Sequence, residues 1–117
     1  MKTKAITLLV SSLKVLYVSG QLSIDPDTRE VCQGDIREHT RLALDNVDRV
    51  LKEANVRRDQ VVFCRVYTPS NTYWGAINEE YAKFFGDHKP GRVIVSTTEL
   101  HFGCLVEIEA IAELDED

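Results

Sequence analysis

Residues 105–114, LVEIEAIAEL, alternate strictly. Val106, Ile108, Ala110, Ala112 and Leu114 fall on one side of an extended chain, and Leu105, Glu107, Glu109, Ile111 and Glu113 on the other. Successive side chains of a strand point to opposite faces. This segment therefore needs a sheet with one dry face of small apolar side chains. Its other face must keep two neighbouring carboxylates satisfied, because buried and unpaired they are costly. That second face meets water, cationic partners at an interface, or a ligand.

The cover for the dry face is written elsewhere in the chain. Ile36, Thr40, Ala43, Val47, Val50 and Ala54 recur every three or four residues, and Leu44 and Leu51 widen the stripe. This spacing predicts an amphipathic helix over 36–54. Asp35 and Glu38 have the form of a capping box at its start. Arg37, Arg41, Asp45, Asp48, Arg49, Lys52 and Glu53 read as its solvated face. Trp74, Ile77, Tyr81, Phe84 and Phe85 predict a second helix over 72–85, with an aromatic stripe read as core and Gly86 as its stop.

Strands are expected over 4–11, 14–20, 60–68, 93–98 and 105–114, with a short one near 30–33 after the IDPDTRE turn. The order ββ(β)αβαββ is that of an α+β domain. Two helices with one stripe each cover one face of such a sheet, and the other face meets water or another subunit. With 117 residues and no repeat or linker, the expectation is one domain over 1–117. The apolar run at 5–10 has a basic start like a secretory leader. It ends at Ser11-Ser12 with no cleavage pattern, and is read as a strand of a cytoplasmic protein without a membrane span.

The open face is expected to gather Arg65, Arg92, Glu107 and Glu109. These could be an ion-pair network at a subunit interface or a ligand site, and a cleft between subunits would use the same residues for both. The net charge of −5 and the lack of a basic stripe argue against general nucleic-acid binding. Three cysteines with no CxxC fit free thiols in a reducing compartment. His39, His88 and His101 are scattered, so no metal is assigned, and no glycine-rich phosphate loop or GxSxG elbow is present. What remains is an arginine able to hold a small carboxylate and a glutamate able to position or deprotonate water. That pair suits hydrolysis of a small anion with no cofactor.

YVSGQ (17–21), IDPDT (24–28), GD (34–35), LDNVDRVL (44–51), NEEYAKFF (78–85), PGR (90–92) and VEIEAIA (106–112) occur in the order and spacing of the Rid family. The chain resembles these YjgF-type reactive-intermediate deaminases, also known as endoribonuclease L-PSP, from about residue 14 to 112. The resemblance implies a chorismate-mutase-like α+β fold with a mixed sheet, two helices on one face, and a homotrimer with clefts between subunits. It implies hydrolysis of 2-imino acids such as 2-iminobutanoate or 2-iminopropanoate to 2-keto acids and ammonia.

In that pattern Arg92 anchors the substrate carboxylate and Glu107 orients the water. Ser19, Gly20 and Ile94 line the cleft, and Asn78 supports it. A non-catalytic trimer that binds a small carboxylate, or an endoribonuclease, are the alternatives. The chain departs from the family at several places. Ile6 stands roughly where a Gly-Pro-Tyr segment places a tyrosine, Ile94 where a cysteine is common, Leu100-His101 where Leu-Pro is usual, and Asn55 where a glycine ends the first helix. Asparagine tolerates the left-handed conformation needed there.

Overall fold

The computed structural model describes the backbone of residues 5–10 and 13–115 and the side chains of residues 14–115. The expected side chain of Ile6 lies outside the described residues. The strands are β1 (Ala5–Val10), β2 (Leu13–Leu22), β3 (Val61–Thr68), β4 (Gly91–Ser96) and β5 (Glu107–Glu113). They form one mixed sheet in the order β1-β2-β5-β3-β4. All neighbours are antiparallel except β3 and β4. The short strand expected near 30–33 is an isolated bridge between Ile24 and Val31.

Helix α1 (Ile36–Glu53) begins as its sequence dictates: the Asp35 side chain accepts from the Glu38 backbone N–H at 3.0 Å, and Glu38 closes the box. It ends in a Schellman motif. Asn55 takes φ 59°, its N–H donates to Lys52 at 3.0 Å, and the Val56 N–H donates to Leu51 at 2.8 Å. The asparagine thus does the work of the usual glycine. Helix α2 (Trp74–Phe85) stops at Gly86, whose φ of 64° suits a residue without Cβ.

Both helices lie on one face of the sheet. Between them and it are Leu44, Leu51, Ile77, Val66, Val106 and Ile108, all fully buried. Each contributes about 1.5–3 kcal/mol by leaving water. The alternation of β5 is realised as read: Val106, Ile108, Ala110 and Ala112 are buried, while Glu107, Glu109 and Ile111 are half-exposed on the other side.

The polar side of α1 is more than a solvated surface. Asp48 is buried and accepts from Arg58 at 2.9 Å and from Lys52 at 3.0 Å, and the bond to Arg58 chiefly holds its carboxyl below the usual range. The Arg58 guanidinium also sits 3.7 Å from the Phe84 ring centre and donates to the Phe84 carbonyl. Glu80 of α2 is buried beneath Arg37 and Arg41 of α1, each at 3.2 Å. Burial alone would raise its pKa; these two cations and Lys83 outweigh that and lower it. The Arg37–Glu80 and Arg41–Glu80 pairs join residues 43 and 39 positions apart and leave no trace in a local pattern.

His39 is buried on α1, its Nδ1 2.7 Å from the Ser23 hydroxyl. Burial lowers its pKa below 6.5 despite the opposing pull of Glu38 and Asp35. The unfolded chain then binds the proton more readily than the folded one, so stability falls as pH drops below about 6.5. Urea unfolding from pH 7.5 to 5, above the range of the paired carboxylates, should show a midpoint that declines in the wild type and is flatter in His39→Gln. Equal slopes would remove His39 as the cause.

Candidate functional site

The parallel register pairs Cys64 with Arg92, Val66 with Ile94 and Thr68 with Ser96. Cys64, Val66 and Thr68 are buried under the helices. Arg92 and Ile94 therefore share the helix-covered face of an edge strand. This corrects the expectation that Arg92 lies on the open face with Arg65, Glu107 and Glu109. The pattern of β4 shows that Arg92 and Ile94 share a side; the pairing register, invisible in one strand, decides which side.

At its edge position Arg92 is half-buried. Its Nε and Nη2 donate to Asn78 Oδ1 of α2 at 2.9 and 2.6 Å, and its guanidinium carbon is 5.0 Å from the centre of the Trp74 ring. One carboxamide oxygen cannot neutralise a guanidinium, and Nη1 remains to donate outward. A carboxylate would be held by charge-assisted hydrogen bonds with an aromatic wall beside it.

Trp74 was expected in the core. Instead it is 43% exposed, its ring beside Arg92 of the edge strand β4. Helical spacing groups it with Ile77 and Tyr81, and nothing in that spacing says where the sheet ends.

Across the sheet, Glu107 and Glu109 stand on the open face. Arg65 and Glu109, directly opposed between β3 and β5, form an ion pair, and the Tyr67 hydroxyl donates to Glu109 at 3.0 Å. Glu109 is thus satisfied. Glu107 faces Tyr67 and Leu22 in register and has no ion pair among the described residues. Its carboxylate lies over Gly20, where a Cβ would come within 2.3 Å of Oε2. The β2 register shifts between Val18 and Gln21, and this irregularity sets the glycine under the carboxylate.

Gly20 and Glu107 border an open hollow of about 480 Å³ that Tyr67 and Glu109 also line. Ser19 borders a neighbouring one of about 430 Å³ with Arg65 and Tyr17. The expected residues thus fall into two groups. Arg92, Asn78 and Ile94 lie on the helix side, and Ser19, Gly20 and Glu107 belong to β2 and β5 around the open face.

Cys64 and Cys104 are buried and Cys32 half-buried, all free. Burial pushes the Cys64 thiol up to about 11, which makes it inert at neutral pH. Among the described residues no three His, Cys, Asp or Glu side chains gather as metal ligands, and no helix is long and apolar enough to cross a membrane.

Fold and site define a small α+β protein with a held, half-paired arginine at the sheet edge and an unpaired glutamate on the open face. Residues 5–114 match the profile of the Endoribonuclease L-PSP family. A RutC family protein of Pyrococcus horikoshii is 40% identical over 97 residues, 83% of this chain and 77% of that protein. YyfA of Yersinia pestis, from the conserved Rid protein family, superposes with a TM-score of 0.83 at 32% identity over 96% of this chain and 93% of its own. TdcF of E. coli, solved with bound serine, superposes with a TM-score of 0.86 at 28% identity, covering 98% of this chain and 89% of its own. The chain belongs to the Endoribonuclease L-PSP family, which includes the Rid and RutC proteins.

Trp74 is the only tryptophan, so its emission reports on Arg92. Arg92→Ala and Asn78→Ala should each alter the emission spectrum, whereas Arg65→Ala, on the other face, should not. Asn78→Ala should also cost about 1.5–3 kcal/mol in urea unfolding, the worth of hydrogen bonds to a charged group. A spectrum that responds to Arg65→Ala and ignores Asn78→Ala would sink this account of the Arg92 environment.

Proposed function

We propose that the protein hydrolyses small 2-imino acids to 2-keto acids and ammonia, in clefts between the subunits of a homotrimer. The observation that carries this reading is the Arg92 guanidinium, held by Asn78 and walled by Trp74, with donor capacity left for one carboxylate. The bound serine in TdcF is itself a small carboxylate.

Arg92 and Glu107 occupy opposite faces of one sheet, separated by β3. For both to reach one small molecule, Arg92 of one subunit must meet Glu107 of another. The open face favours such assembly. Tyr17, Val93 and Val95 expose apolar surface there, beside the satisfied Arg65–Glu109 pair.

In the reaction the carboxylate of the imino acid binds Arg92, and Ile94, two residues along the same strand, bounds the space beside it. Gly20 leaves room over its backbone for the Glu107 carboxylate, and Ser19 precedes it at the rim. Glu107 accepts a proton as water adds to the iminium carbon. The carbinolamine then collapses: Glu107 returns its proton to nitrogen, the C–N bond breaks with its electrons leaving on nitrogen, and the hydroxyl oxygen forms the carbonyl as its own proton passes by way of Glu107 to the departing ammonia, giving ammonium. One water is consumed and the oxidation level of the carbon is unchanged, so water is the only co-reactant. The site is read as using no cofactor and no metal.

A threonine dehydratase generates 2-iminobutanoate in a coupled assay, and 2-ketobutanoate is followed with and without the protein. Acceleration should be lost in Arg92→Ala and fall by about 10²-fold or more in Glu107→Ala, which should still bind 2-ketobutanoate. Light scattering should give three times the chain mass. A folded trimer that binds 2-ketobutanoate and accelerates nothing would replace the enzyme with a carboxylate-binding regulator, the reading that shares Arg92.

A further inference from the structure

A hollow of about 590 Å³ lies between the 20–30 segment, α1 and the 101–103 turn; it shares Gly20 with the Glu107 hollow, but neither Arg92 nor Glu107 lines it. Its size is that of small-molecule sites. Arg29 and Arg49 line it, and among the described residues neither holds an ion pair or a side-chain hydrogen bond. Every other arginine is engaged: Arg37, Arg41, Arg57, Arg58 and Arg65 with carboxylates, Arg92 with Asn78. These two guanidinium groups border one cavity, where Arg49 also acts electrostatically on Asp25.

Asn46 also lines it. The carboxamide is buried, its Nδ2 donates to the Leu22 and Ile24 carbonyls at 3.0 and 2.8 Å, and its Oδ1 has no partner. Such an acceptor is costly to leave unpaired. The backbone is strained on both sides. Arg29 (φ 65°) and Phe102 (φ 61°) are left-handed without being glycine, a conformation that gathers at ligand clamps. Phe102 is 74% exposed, a phenyl ring standing at the edge of the hollow with little covering it.

The charges are mixed. Asp25 and Glu53 join the two arginines in the lining, and Glu53 has no ion pair among the described residues. A plain anion would meet repulsion as well as attraction, and so would a plain cation. A zwitterion suits both.

We propose that this hollow is a second small-molecule site that takes a free α-amino acid with an apolar side chain. The ligand carboxylate lies between Arg29 and Arg49. Its ammonium meets the Glu53 carboxylate. Its side chain lies against Ile24, Val50 and Phe102. Its charged lining, Arg29, Arg49 and Glu53, is distinct from Arg92 and Glu107, although Gly20 lies at the border of both hollows.

Calorimetric titration with L-leucine tests this, beside 4-methylpentanoate (acid only) and 3-methylbutylamine (amine only). L-Leucine should bind saturably to the wild type and to Arg92→Ala. Binding should weaken by about tenfold or more in Arg29→Gln/Arg49→Gln and in Phe102→Ala, and to a similar degree for either half-analogue. All these residues are at the surface except Arg92, and circular dichroism verifies the fold of each variant. Three results would overturn the proposal: no binding at millimolar leucine, binding abolished by Arg92→Ala but kept in the double variant, or 4-methylpentanoate binding as tightly as leucine.

Discussion

The central strand β5 is the constraint on which the structure depends. It lies between β2 and β3, and its two faces carry incompatible chemistry. A slip of one residue would drive Glu107 and Glu109 under the helices and bring Ile108 and Ala110 out. The cost of burying two carboxylates fixes the register. Once fixed, it places Arg65 opposite Glu109 and Tyr67 opposite Glu107, so the polar groups of the open face follow from the packing of the dry one.

The parallel pairing of β3 with β4 has a different consequence. Because Arg92 is paired with Cys64, it emerges on the side of the helices, where only the edge position of β4 lets a cation reach water. Asn78 and Trp74 can meet it there because α2 is the crossover connecting those same two strands. The arginine environment is thus a product of the βαβ unit, and the glutamate environment a product of the antiparallel one. A site using both must cross from one unit to the other, and in one chain the sheet itself stands between them.

Local periodicity made α1, its capping box and the two faces of β5 legible in the sequence, because each depends on neighbours within four residues or on strict alternation; the left-handed Asn55 was expected from the family resemblance, which puts a glycine there. The same reasoning misplaced Arg92, put Trp74 in the core and called Asp48 solvated. Those errors have a common origin. The face of Arg92 depends on which strand it pairs with, the exposure of Trp74 on where the sheet ends, and the burial of Asp48 on Arg58 arriving from beyond the helix. Motif resemblance singled out Arg92, Asn78, Gly20 and Glu107 as candidates, yet it carried no information on how they divide between the two sides of the sheet.

The disposition of cations bears on what the protein can hold. Recognition of a polyanion needs several unspent cations along a track, because each neutralised phosphate contributes separately. Here Arg37 and Arg41 are committed to Glu80, Arg58 to Asp48, Arg57 to Asp59 and Arg65 to Glu109. Arg92 stands at the sheet edge, and Arg29 and Arg49 share a hollow with Asp25 and Glu53. The described guanidinium groups not bound to a carboxylate are few: Arg92 beside Trp74, and Arg29 and Arg49 in the hollow that Phe102 borders. The sparing use of charge that keeps the open face satisfied thus leaves few of the described arginines for an outside anion, in a chain whose net charge is −5.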